Sequence, residues 1–122
     1  MSIAYLPPQI VTISVPVLEG SKLREDVEIP DGIQILEDGP IPAHHHCFRI
    51  LDPDKGDERL TWDNRSLPSI ADAKKAFVNL IKAGLKPFKV GLDGATTSDA
   101  MSEFDPLAEE VIFLPMAPVA GG

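Results

Sequence analysis

Apolar and polar positions alternate along several short stretches of this chain and recur at helical spacing in one. From Gln9 to Leu18, Ile10, Thr12 and Ser14 alternate with Val11, Ile13 and Val15, and Val27-Glu28-Ile29 repeats the pattern in miniature. Both read as extended segments, which Pro16 and Pro30 confine to edge strands or free arms. Cys47-Phe48-Arg49-Ile50-Leu51 is a strand with Phe48 and Ile50 on one face. Asp52-Pro53-Asp54-Lys55-Gly56 supplies turn chemistry, Asp and Pro opening it and Gly accepting a positive φ. Residues 57–63 alternate again with Leu60 and Trp62 inward, which completes a hairpin.

Ile70, Ala73, Phe77, Leu80 and Ile81 form one apolar stripe at helical spacing, with Lys74, Lys75 and Lys82 on the wet face. Ser69 is the expected N-cap, Asp72 its capping-box partner, and Gly84 the residue that closes the helix. Lys86-Pro87-Phe88-Lys89-Val90 is a further strand, followed by a Gly91–Gly94 turn and a polar connection over 95–103. Val111-Ile112-Phe113-Leu114 is apolar without alternation, the pattern of a strand covered on both faces or central in its sheet. The order predicts an α+β fold. One helix covers a mixed sheet of four or five strands, and the first and last strands pair in parallel.

Composition divides the chain. Residues 1–43 hold seven acids, two bases and half of the twelve prolines, so a helical N-terminal third is excluded. They read as a proline-rich extension, either partly ordered or docked on a neighbouring subunit, and residues 44–122 as the folded domain. A net charge of −8 over 122 residues repels phosphate backbones and argues against nucleic-acid binding. A single cysteine, Cys47, rules out an internal disulfide. The N-terminus has no secretory pattern and no apolar run has the length of a membrane span, so a cytoplasmic protein is expected.

The chemistry-bearing residues give little. His44-His45-His46 precedes Cys47, but adjacent strand residues point to opposite faces and no other histidine or cysteine exists to complete a zinc site. A solvated linker is the simpler reading, an adventitious or intersubunit metal the other. Cys47 lacks an independent base and reads as a half-buried strand residue. The acids between Asp93 and Glu110 are a solvated face. Gly91-Leu92-Asp93-Gly94 lacks the Gly-Lys-Ser/Thr of a phosphate loop. No catalytic residue and no metal site is assigned. Trp62 and Phe113 read as core, with Phe113, Leu114 and Met116 alternatively forming an exposed partner-docking edge.

The chain closes on Pro118-Val119-Ala120-Gly121-Gly122. At an average glycine usage of about 7%, two final glycines arise by chance in roughly 0.5% of chains. Without a Cβ, such a tail enters a narrow channel in extended form. The element order of 47–122, closed by an apolar strand and this motif, resembles the β-grasp (ubiquitin-like) superfamily. The tail is similar to those of molybdopterin- and thiamin-type sulfur carriers and of bacterial ubiquitin-like modifiers; phage tail-assembly β-grasp proteins are more distantly similar.

The resemblance implies a carrier whose Gly122 carboxylate is adenylated by an activating enzyme. ATP and Mg²⁺ are used by that partner, and this chain binds no cofactor of its own. Gly121, Ala120 and Val119 would thread the partner's channel. The activated carbonyl would then pass to a thiol or a sulfur donor. The alternative is a structural or assembly protein of a phage or other large particle, oligomeric through residues 1–43.

Overall fold

The computed structural model describes residues 11–17, 24–91, 93–97 and 99–115. Seven strands and one helix follow in the order β1 (Val11–Pro16), β2 (Arg24–Ile29), β3 (Gln34–Ile35), β4 (His45–Ile50), β5 (Glu58–Asp63), α1 (Leu67–Lys82), β6 (Leu85–Lys89) and β7 (Glu110–Pro115). The fold is α+β: a five-stranded mixed sheet ordered β3-β5-β4-β7-β6, and a separate two-stranded sheet of β1 and β2. β4 and β7 run parallel, with Phe48 opposite Val111 and Ile50 opposite Phe113. The other neighbouring strands are antiparallel.

Period-two alternation sorts the sheet into two faces. Phe48, Ile50, Leu60, Trp62, Val111 and Phe113 are fully buried under α1. The intervening Arg49, Arg59, Ile112 and Leu114 lie on the opposite face and are partly exposed. The final strand is therefore interior in strand order, as its composition suggests. Its two faces differ, however: one is fully buried and the other half covered. Under the helix the rings of Phe48, Trp62, Phe77, Phe104 and Phe113 pack tilted or edge-on, Phe48 and Trp62 with centroids 4.5 Å apart. These are the offset arrangements that ring quadrupoles favour.

The helix starts one turn earlier than its stripe suggests. Ser66 is the N-cap and its Oγ accepts the N–H of Ser69. Pro68 sits inside the first turn, where proline's fixed φ fits and its missing N–H costs nothing. Ser69 is a buried helical residue whose Oγ accepts from Asp63 N at 2.9 Å and donates to Gly32 O at 2.8 Å. Asp72 closes no capping box; its Oδ2 accepts the N–H of Gly32 at 2.8 Å. One helical face thus grips both backbone groups of Gly32. At the other end Gly84, φ 110°, provides the left-handed residue that ends the helix.

The described residues ahead of position 43 contribute to the same apolar core as the residues that follow it. Ile13, Val15, Val17, Val27 and Ile29 of the β1–β2 hairpin belong to the same apolar cluster as Ile50, Leu60 and Leu80. Asn79 Nδ2 donates to Glu28 O, and Arg24 bridges from β2 to Asp52 at the β4–β5 turn. The core continues across the compositional boundary. Ile13, Val15, Val17, Val27 and Ile29, expected in an extension that is partly ordered or docked on a neighbour, are buried in this chain's own core. Residues 1–10 and 18–23 of that extension lie outside the described residues.

Candidate functional site

β7 lies between a cleft and the segment that holds most of the expected site residues. Its C-terminal end at Pro115 leads to Met116 and to Val119, Ala120, Gly121 and Gly122, which lie outside the described residues. Its N-terminal end at Glu110 borders a cleft of about 700 Å³. Five residue steps at roughly 3.3 Å put the two ends about 17 Å apart. Of the expected docking residues Phe113 is fully buried among the helix-facing rings, so its side chain presents nothing to a partner. Leu114, one residue on, alternates to the face away from α1, where it pairs with Lys86 on β6.

That face is partly covered by the chain itself. β3 and β4 flank β5 and run parallel to each other, so residues 36–44 have to return across the sheet. They do so on the side away from the helix. Leu36 N donates to Arg59 O (2.8 Å), and the Arg59 guanidinium, which alternates with the core-facing Leu60, donates to Gly39 O (2.9 Å). Cys47 and Thr61 are completely buried on a face that is otherwise half exposed, Thr61 Oγ1 lying 3.5 Å from Gln34 O. The strap ends at His44, whose φ of 65° turns the chain into β4. What remains open beside it is a strip of Phe88, Ile112 and Leu114 with Lys86 at its edge.

The cleft is lined by the strap (Ile41, Pro42), by His44, His45 and His46, by Lys89 to Gly91 and by Leu107 to Glu110. The histidines are not a linker: His45 and His46 open β4 and face opposite ways. His45 Nδ1 lies 3.2 Å from Ala43 O, within reach to donate its proton there. The His46 ring packs edge-on against Trp62, at 5.6 Å, and its Nδ1 is buried without a partner. Lys89 Nζ donates to Asp105 Oδ2 at 3.0 Å and holds that carboxyl below the ordinary range. Arg49 Nε lies 3.1 Å from Glu110 Oε1, close enough to pair in charge but not aligned as a hydrogen bond. Among the described residues no three His, Cys, Asp or Glu side chains converge as a metal site.

Cys47 is unsuited to attack. Burial first, and then the Glu110 carboxylate, push its thiol up to about 11, so it stays protonated at neutral pH. The cleft and the strap escaped sequence reading because both depend on the β3-β5-β4 order, which a two-residue β3 barely signals. No helix of the described residues is long and apolar enough to cross a membrane. Comparisons of the chain with protein-family models, with curated proteins and with solved structures return no match.

Proposed function

We propose that this chain is a β-grasp, ubiquitin-like carrier or modifier acting in the cytoplasm, with Gly122 as its reactive residue. The observation that supports this reading is the place of β7. It is an interior strand, parallel to β4, and it runs directly into the segment that closes on Val119-Ala120-Gly121-Gly122. A strand fixed on both sides holds the base of a tail while the glycines, lacking Cβ atoms, pass into a narrow channel. The partner's ATP and Mg²⁺ supply the driving force. The Gly122 carboxylate attacks the α-phosphorus and pyrophosphate leaves; a thiol then displaces AMP to give a thioester, or hydrosulfide displaces it to give a thiocarboxylate. The chain contributes a substrate and a surface, with Leu114 and Met116 next to the tail as first contacts for the activating enzyme.

The structural or assembly reading relies on residues 1–43 holding a neighbour. It has less support because the hairpin side chains Val15, Val17, Val27 and Ile29 are spent on this chain's own core. The test is incubation with ATP and an activating enzyme encoded beside this chain. Formation of a covalent adduct or a terminal mass gain, absent when Gly121 and Gly122 are deleted, is the expected result. Identical behaviour of the deleted chain refutes the proposal.

A further inference from the structure

A shallow groove of about 260 Å³ runs between α1 and residues 102–104, on the side of the molecule away from the strap. Phe77 forms its floor, Val78 and Ile81 one wall and Phe104 the other, with Lys74 and Lys82 at its rim. Val78 and Ile81 are 38% and 37% exposed, although the helix stripe to which Ile81 belongs is otherwise turned into the core. The volume is below that of pockets that enclose a cofactor-sized ligand, and suits a single large side chain.

Charge identifies what carries that side chain. The molecule has a net charge of −8, yet α1 holds Lys74, Lys75 and Lys82 against one acid, Asp72. Lys75 turns towards Asp72. Among the described residues no carboxylate lies within 4.0 Å of Lys74 or Lys82. Glu103 lines the groove itself, and Glu25, Asp26 and Glu28 line a neighbouring depression with Lys82, none of them paired with either lysine. Lys74, Val78, Ile81 and Lys82 share one helix face, and eight residues at a rise of 1.5 Å set the backbone positions of the two lysines about 12 Å apart along the axis.

We propose that this groove is a docking site for an acidic segment of another protein. The segment inserts one large apolar side chain between Val78, Ile81 and Phe104 and sets carboxylates on Lys74 and Lys82. In an extended segment, residues about four apart span that distance. A central apolar anchor with a charged rim is the arrangement in which few residues carry most of the affinity. The proposal stands independently of any activation at Gly122.

The experiment pans a random peptide library on the full chain and measures affinities of the enriched peptides by fluorescence anisotropy. Enriched peptides are expected to share a large apolar residue flanked by acids. Their binding is expected to weaken about tenfold or more in Lys74→Glu/Lys82→Glu and in Ile81→Ser, and to fall with added salt. All three positions are exposed, and far-ultraviolet circular dichroism checks that the variants fold. Recovery of no peptides, of peptides without acids, or of peptides whose affinity the double variant leaves unchanged overturns the proposal. So does self-association of the wild-type chain abolished by Lys74→Glu/Lys82→Glu, which makes a second copy the occupant.

Discussion

The grip of α1 on Gly32 gives the sharpest test of how the N-terminal hairpin is joined to the sheet. Ser69 is 8% exposed and its hydroxyl satisfies two backbone groups at once, Asp63 N–H and Gly32 O. Ser69→Ala removes both bonds, each worth about 0.5–1.5 kcal/mol net, and leaves a part-buried donor and a part-buried acceptor without that partner. The expected cost is about 2–3 kcal/mol, a large share of the roughly 5–15 kcal/mol that stabilises a domain. Ser66→Ala, which removes only the N-cap, is expected to cost about 1 kcal/mol.

Both follow from urea unfolding monitored by the single tryptophan, Trp62, which is fully buried and loses its environment on unfolding. Gly32→Ala probes the other half of the grip, since a Cβ there would meet Asp72 Oδ2 at 2.5 Å and displace it from the Gly32 N–H. The two substitutions share one clamp, so their costs should add to more than the double variant shows. A Ser69→Ala cost no larger than that of Ser66→Ala, or strict additivity with Gly32→Ala, would refute the clamp.

Three further outcomes follow from side chains already placed. The Arg24 guanidinium, aided by the N–H groups of Asp54 and Lys55, holds Asp52 down to about 2 from its usual 3.8. Because the folded-state value is the lower one, this stabilisation is complete above the unfolded value and is lost as pH falls from about 4 towards 2. Asp52→Asn should flatten the wild-type fall in urea midpoint over that window, and an unchanged acid limb excludes this assignment. Cys47 should resist thiol reagents at pH 8 in the native protein and react fully in urea; native reaction at the rate of a free thiol rules out its burial. Gly84→Ala forces a Cβ into φ 110° and should cost about 1 kcal/mol in the same urea assay. A neutral result removes the helix stop from that residue.

What could be read from the sequence was what depends on neighbours along the chain. The Phe48/Ile50 and Leu60/Trp62 alternations, the turn at Asp52, the helical stripe and the stop at Gly84 are local patterns, and the structure realises each. Ser69 was misplaced as a cap because a serine after proline satisfies the local rule equally well. What decides against it is Gly32, some forty positions away. The same limit hid the continuity of the core. Prolines at 16 and 30 confine their segments to edge strands, and β1 and β2 pair only with each other, but nothing local tells that Val15 and Ile29 share one core with Leu60 and Leu80. His45 and His46 looked like a solvated run because histidine has no strong preference, and their place in β4 follows from pairing with Asp63 and Trp62.

The position of β7 also has a mechanical consequence. A pull applied at Pro115 along the strand loads the ladders to β4 and β6 in shear, so their hydrogen bonds share the load and have to fail together. An edge strand would instead peel away one bond at a time. Resistance to such a pull is governed by the unfolding rate and not by equilibrium stability. A machine that seized this chain beyond residue 115 would therefore load a strand laddered on both sides first. The β1–β2 hairpin, held at the other end of the chain by side chains and single hydrogen bonds, offers the softer handle.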